Sequence, residues 1–382
     1  MKRTLFLVAA LLVTLSVGAQ EYTTRYQSAT EPQTLLPVGY SRLSRQEIFL
    51  PSLGGYTPYK ADLHMHSTLS DGVINIKGRM EEAWHDGLDV IATTEHMSIR
   101  VIPDKVGQPT PESAKIKRGS KPTKAVEEAT ALADTYGMLV IPAVELTGDG
   151  YTQGHFNALF TTDNNVLYDY DAMQALRNAR QQGALIMHNH PGWRHPTLEM
   201  TDFEKQAYEE KLIDGIEVMN GSYFYPRAFE TAKKHNLFMT SNTDIHPASS
   251  YIYAENGHLR NMTIIFAKEL SLSSIREALE AHRTLTYSFG TIGGEEAMLK
   301  EFFVESIAAK GLSVDKKKKS QRVMLTNKTS LPYTVRIGKG NPVVIRPLSS
   351  VIVATKPGKP LSCTVLNMWY GMDAHPIVKL KY

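Results

Sequence analysis

His64 and His66 stand two residues apart in the run Asp62-Leu63-His64-Met65-His66, which continues through Ser67 to Asp71-Gly72. If that run ends a strand, both imidazoles project from one face. Two imidazole nitrogens in one pocket suit a divalent ion of the zinc, manganese or iron kind. Asp71 follows in a turn closed by Gly72 and can swing a third donor over the same mouth. A histidine pair on a surface edge strand would look the same locally, so the remaining donors carry the weight. These are Thr94-Glu95-His96, Glu145, His155, His188-Asn189-His190-Pro191-Gly192 and Asp244-Ile245-His246.

Elements far apart in the chain must bring those donors together. Apolar runs at 59–64, 88–94, 138–145, 155–160, 184–188, 215–219, 237–241 and 262–266 read as strands. Amphipathic stretches at 76–86, 121–136, 171–182, 226–235 and 271–282 read as helices between many of them. Asp171 and Ser271 are expected N-caps, and Gly137 and Gly183 expected helix stops. Repeated βα units call for a parallel sheet, and this many favour a closed barrel. Nearly every donor falls where a βα loop begins, the face on which such barrels build their sites. His155 fits less neatly, because it opens its strand. His85, His235 and His282 fall on the helix-like stretches and read as surface or satisfied core residues.

The composition bounds the function. Of 382 residues, 42% are hydrophobic and 21% charged, which is ordinary for a globular chain and argues against disorder. A net charge of +3 implies neither nucleic acid nor membrane-surface binding, and the run 316–319 reads as a solvated loop. Residues 1–19 read as a secretory signal: Lys2 and Arg3, an apolar run from Leu5 to Leu15 too short to span a bilayer, then Val17-Gly18-Ala19. The mature chain is therefore expected to be secreted or periplasmic, with no membrane span after cleavage. Cys363, the only cysteine, cannot form an internal disulfide.

The ordered set of motifs resembles the PHP family, named for its polymerase and histidinol phosphatase members. The resemblance covers about residues 58–290. It rests on Asp62-Leu63-His64-Met65-His66-Ser67 leading to Ser70-Asp71-Gly72, and on Thr94-Glu95-His96. Glu145 after Ile141-Pro142-Ala143-Val144, then His155, His190-Pro191-Gly192 and Asp244-Ile245-His246, complete it. The resemblance implies an α/β fold with a distorted (β/α)7 barrel and two or three divalent ions. By analogy His64, His66, Glu145 and Asp244 hold one ion. Glu145 shares a second with His155 and His190, and Asp71, His96 and His246 hold a third. Asp71 replaces the histidine of some members, which favours Mn or Fe over Zn. The His-Pro-Gly context favours His190 as the ligand and leaves His188 in a supporting or substrate-facing role.

The implied activity is hydrolysis of phosphate esters, monoester or diester, by a hydroxide held between the ions. Asp244 or His246 would protonate the leaving oxygen. Arg194, Arg227 and Arg260 are candidates to clamp phosphate, and Trp193, Tyr223 and Tyr225 to wall in an organic leaving group. Two alternatives stay open here: an amidohydrolase-like metal hydrolase of a non-phosphate ester or amide, and a non-catalytic binding protein on a barrel scaffold. The segment Arg283-Thr284-Leu285-Thr286-Tyr287 resembles one that ends many barrels of the family. The expected organisation is a signal at 1–19, a lead-in at 20–57, the barrel at 58–298 and a small antiparallel β-sandwich at 302–382. The last rests on short alternating runs at 322–326, 333–337, 343–345 and 351–354, separated by Asn, Gly, Pro and Ser.

Overall fold

The computed structural model describes residues 44–101, 114–116, 121–147, 153–169, 171–195, 199–317 and 319–382. The signal segment 1–19 and most of the lead-in lie outside them. Among the described residues no helix is long and apolar enough to cross a membrane. In chain order the first elements are β1 (Thr57–Asp62), α1 (Ile76–His85), β2 (Val90–Thr93), β3 (His96–Val101), β4 (Ala114–Ile116), α2 (Pro122–Tyr136), β5 (Leu139–Thr147) and β6 (His155–Leu159). Then come α3 (Ala172–Gln181), β7 (Leu185–His188), α4 (Asp202–Glu209), β8 (Gly215–Asn220), β9 (Tyr223–Phe224), α5 (Ala228–His235) and β10 (Phe238–Asn242). The barrel part closes with α6 (Ser249–Ile252), β11 (Met262–Ala267), α7 (Leu272–Glu280), β12 (Thr284–Ser288) and β13 (Thr291–Gly294).

Local chemistry explains most of the boundaries. The side chains of Asn75, Asp171 and Ser271 accept bonds from first-turn amides of α1, α3 and α7, and Pro122 opens α2. Gly137 ends α2 at φ 59°, a left-handed conformation glycine adopts without a Cβ clash. In α4, Thr201 and Glu204 form a reciprocal capping box. The 184–209 region read as a strand and a loop contains this additional helix.

The main sheet runs β10-β8-β7-β6-β5-β2-β1-β11-β12-β13 and ends on a short strand near the C-terminus. It is mixed, which corrects the expectation of a parallel sheet. β1, β2 and β5 are parallel, as are β7, β8 and β10. β6 is antiparallel to both β5 and β7, and β11 is antiparallel to β1 and β12. The sheet curls until β10 lies against β11 and β12. Side chains close the gap there rather than a continuous ladder. Thr263 Oγ1 bonds Ser241 N and O, Ser241 Oγ bonds Tyr287 O, and Thr284 Oγ1 bonds Met239 O. The result is a curled α/β sheet rather than a regular ring of seven βα units.

The C-terminal part begins with a helix, α8 (Glu296–Ser306), so residues 302–306 belong to it and not to a strand. Phe302 packs edge-on to Phe266 of β11, and Phe303 edge-on to Tyr333. The helix thus joins the two parts through one continuous apolar core. Beyond it β14 (Ile307–Asp315), β15 (Ser320–Asn327), β16 (Tyr333–Ile337), β17 (Val343–Ile345), β18 (Ser350–Thr355), β19 (Leu361–Val365), β20 (Met368–Trp369) and β21 (Ile377–Leu380) follow. They form two small antiparallel sheets, β14-β15-β18 and β17-β16-β19-β21, and β20 pairs with β13 of the main sheet. Residues 45–382 make one compact unit.

Candidate metal centre

The chain beyond β1 and the chain beyond β10 run side by side. Met65 bridges Ile245 in parallel, Asp244 N bonds His64 O, and His66 N bonds Ile245 O. Met65 and Ile245 turn into the apolar core. Alternation then sends His64 and His66, and Asp244 and His246, to the opposite side. Asp244 sits at φ 52° and His190 at φ 27°, left-handed values that are costly for these residues and common at functional sites.

Glu145, at the end of β5, is the hub. Its Oε1 lies 3.3 Å from His64 Nε2, 3.2 Å from His155 Nδ1 and 3.8 Å from His190 Nε2. Its Oε2 lies 2.5 Å from His96 Nδ1 and 3.7 Å from His66 Nε2. Asp244 Oδ1 is 3.0 Å from His66 Nε2 and 3.3 Å from His64 Nε2. Asp71 reaches His96 Nε2 at 3.2 Å and His246 Nε2 at 3.3 Å. Four groups arise whose donor atoms all lie within 4.8 Å of one another: His66 with Asp71, His96 and His246; His64 with His190 and Asp244; His64 with His66 and Glu145; and Glu145 with His155 and His190. All nine residues singled out as ligand candidates are brought together. The grouping differs from the analogy in that His66 leans toward Asp71, and His190 also approaches Asp244.

His155 finds its place because β6 is antiparallel. Thr147 pairs with His155, so the start of β6 lies at the same end of the sheet as the finish of β5.

Apart from the exposed Asp71 and the half-buried His96, Asp244 and His246, the cluster is buried, and this sets its protonation. Burial disfavours charge on Glu145, yet the imidazoles of His96, His155 and His64 hold its carboxyl well below the usual range. Burial also opposes charge on His64, but Asp244, Glu217 and Glu145 raise it well above normal. For His96 the carboxylates of Glu145 and Asp71 outweigh burial and lift it to about 10. His66 goes the other way, lowered by burial and by His96 to about 4. His64 Nε2 and both ring nitrogens of His66 are buried and make no hydrogen bond. Leaving each such atom unpaired costs about 1–3 kcal/mol. Donors around a divalent ion at about 2.0–2.2 Å sit about 3 Å apart. The spacings here match that, and mixed imidazole and carboxylate donors suit Zn, Mn or Fe. The residues therefore fit divalent metal.

Supporting residues escaped the sequence reading. Glu217, in the middle of β8 and fully buried, accepts from His64 Nδ1 (3.0 Å), His190 N (2.7 Å), Asn220 Nδ2 (2.8 Å) and Asn242 Nδ2 (2.9 Å). A carboxylate can only accept, so His64 Nδ1 carries a proton and Nε2 is the atom offered to the cluster. The signal was a carboxylate inside an apolar strand. Arg79, on the buried side of α1, donates to His66 O, His246 O and Pro247 O and so ties the His-x-His and Asp-x-His segments together.

The substrate candidates separate. Arg260 is 1% exposed and pairs with Asp62 (2.8 Å) and Asp86 (3.1 Å), so it is a structural cation and not a phosphate clamp. Asp62 in turn accepts from Thr243 N and Oγ1, locking the ends of β1 and β10. His188 lies outside the four groups. Its Nδ1 meets Tyr208 Oη at 2.8 Å and its Nε2 lies 3.2 Å from Glu204 Oε1. Arg194 is exposed, with its guanidinium 4.2 Å over the Trp193 ring, and Trp193 contacts His155 and His190. Arg227 is exposed at the start of α5, beside a cavity behind β7 and β8.

A curled α/β sheet with histidines and carboxylates gathered at one end defines a metal-dependent hydrolase scaffold. No known family profile and no curated protein matches the chain. Solved structures do. A two-domain protein from Bacteroides vulgatus containing a predicted PHP-like metal-dependent phosphoesterase is 30% identical, with a TM-score of 0.76, over 88% of this chain and 99% of its own. An amidohydrolase from Chromobacterium violaceum with bound sulfate and no metal is 16% identical, with a TM-score of 0.36, over 60% and 98%. A protein from Bifidobacterium adolescentis assigned as a metal-dependent phosphoesterase is 14% identical, with a TM-score of 0.38, over 59% and 96%. At those scores the last two bear no weight. The chain belongs to the PHP-like metal-dependent phosphoesterases.

Proposed function

We propose that this chain is an exported hydrolase of small phosphate esters that works with two or three divalent ions, Mn, Zn or Fe. The observation that carries the reading is Glu145, whose two oxygens face five imidazoles, two of which, His64 and His66, have buried nitrogens that make no hydrogen bond. When bound, the ions supply a water of lowered pKa and neutralise charge on the phosphoryl oxygens. The ligands are His64, His66, Asp71, His96, Glu145, His155, His190, Asp244 and His246. His246 Nδ1 lies 2.8 Å from Asp244 O, and a carbonyl only accepts, so that nitrogen carries a proton and Nε2 is the atom offered to an ion. Arg194 over Trp193 would meet the phosphate at the rim. Export is supported by residues 1–19 alone.

The test is metal analysis of purified protein with parallel assays on phosphomonoesters and phosphodiesters, comparing the natural chain with Glu145→Gln. Expected are bound metal, hydrolysis of one ester class, and loss of several orders of magnitude in rate with reduced metal in the variant. Protein that takes up none of Mn, Zn or Fe and hydrolyses neither class would overturn the reading. Sequencing the N-terminus of the exported protein checks cleavage near Gln20.

A further inference from the structure

We propose that the end of the two C-terminal sheets remote from the barrel docks on an anionic phospholipid surface. Its lysines would meet lipid phosphates, and an apolar hollow among them would take the lipid's carbon. The net charge of +3 conceals a strong asymmetry. Residues 307–382, about a fifth of the chain, hold 14 of its 42 lysines and arginines and two of its 39 carboxylates. That stretch carries +12, and residues 1–306 therefore carry −9. Ion pairs recur up to Lys300, yet no described lysine or arginine from 307 onward takes part in one. Charge so unevenly divided along a chain points to an anionic partner.

The charge converges at one end. β15 pairs with β18 so that Gln321 faces Thr355, and β16 pairs with β19 so that Ile337 faces Cys363. The turn 316–319, the loop 338–342 and the connection 356–360 therefore leave their sheets at the same end. Lys316, Lys317, Lys319, Lys339, Lys356 and Lys359 are all exposed there, against one described carboxylate, Asp315. Nine-residue β14 leads from α8 to the lysine turn, about 30 Å of extended chain. The basic end thus lies well away from the helix that joins these sheets to the barrel. Tyr382 Oη donates to Lys359 O at 2.8 Å and to Lys356 O at 3.4 Å, which holds the third loop in place.

What lies between the lysines sets the kind of partner. The loops surround an open hollow of about 440 Å³, lined by Lys319, Lys356 and Lys359 together with Ile337, Ala354 and Pro360. Among the described residues no carboxylate, arginine or aromatic ring lines it. Leu312 and Val314, on β14 just before the lysine turn, are exposed as well. A nucleic acid is held by arginine forks on phosphate and by aromatic rings under its bases, and the hollow offers neither. Free phosphate brings no apolar part. An anionic lipid brings both parts: phosphate for the ammonium groups, and glycerol and acyl carbon for the hollow and the lysine stems.

The experiment is co-sedimentation of the full-length, metal-loaded protein with two kinds of vesicle, phosphatidylcholine alone and equimolar phosphatidylcholine and phosphatidylglycerol. A gel shift with a short DNA duplex runs beside it. One variant combines Lys316→Gln, Lys317→Gln, Lys356→Gln and Lys359→Gln; the other is Ala354→Asp, which sets a carboxylate in the hollow. All five positions are exposed, so neither variant disturbs the core. Expected is binding to the mixed vesicles alone, reversed by salt and weakened at least tenfold in both variants, with no DNA shift. Equal binding to the two kinds of vesicle, or binding that survives either variant unchanged, would overturn the proposal. Attachment through the apolar segment near the N-terminus would show itself in that way and so counts against it. A DNA complex lost in the lysine variant would make this end a nucleic-acid site and overturn the proposal too.

Discussion

Replacing Glu217 by glutamine keeps the side-chain volume and removes a single acceptor. Oε1 accepts from His64 Nδ1 and Asn242 Nδ2, and Oε2 from His190 N and Asn220 Nδ2. All four donors are buried, and an amide can offer its one oxygen to only one of the two pairs. The other pair then faces an NH2 group. Two buried donors without acceptors at about 1–3 kcal/mol each give a loss of about 2–6 kcal/mol in the metal-free protein. If the oxygen turns toward His190, His64 loses the carboxylate that fixes its tautomer. Loss of such a supporting partner lowers metal affinity by about 10–100-fold. Urea unfolding of the metal-free variant measures the first figure, and a competition titration with Mn and a chromogenic chelator the second. A Glu217→Gln protein with an unchanged unfolding midpoint and metal affinity within about twofold of the natural chain would refute the role assigned to this carboxylate.

His190→Ala should lose metal and hydrolysis together, whereas His188→Ala should keep its metal; metal lost only from the His188 variant would reverse the assignment. Arg260→Met leaves Asp62 and Asp86 buried without their cation, and breaking such a pair costs about 3–5 kcal/mol. The folded fraction should keep its KM for phosphate esters, and a raised KM at unchanged stability would restore Arg260 as a substrate contact. In the metal-free protein His96 keeps its proton up to about pH 10, against the effect of burial, because Glu145 and Asp71 face it. Metal must displace that proton, so binding at pH 7 should release protons and strengthen as pH rises. Binding heats that do not differ between buffers of unlike ionisation enthalpy would contradict this.

Much of the site was legible before any fold was known. His64, His66, Glu145, His190, Asp244 and His246 lie at or just beyond a strand end, His96 opens β3 and Asp71 sits in the turn that follows His-x-His, each within a short local pattern. A strand of period two followed by a turn dictates which way such residues project. The eight strands and five helices read from periodicity all exist, within a few residues of their expected bounds, because periodicity and caps are local properties. Direction is not local. A strand's pattern is the same whichever way it runs, so the antiparallel placement of β6, and hence the place of His155, could only come from the assembled sheet. Pairing over long separations was equally invisible: Arg260 meets Asp62 198 residues away, and Glu217 meets His64 153 residues away. His188 and His190 show the limit most plainly. Period two would put both on one face, but the chain leaves the strand at His190 with φ 27°. That turn carries one imidazole into the cluster and leaves the other against Glu204 behind the sheet.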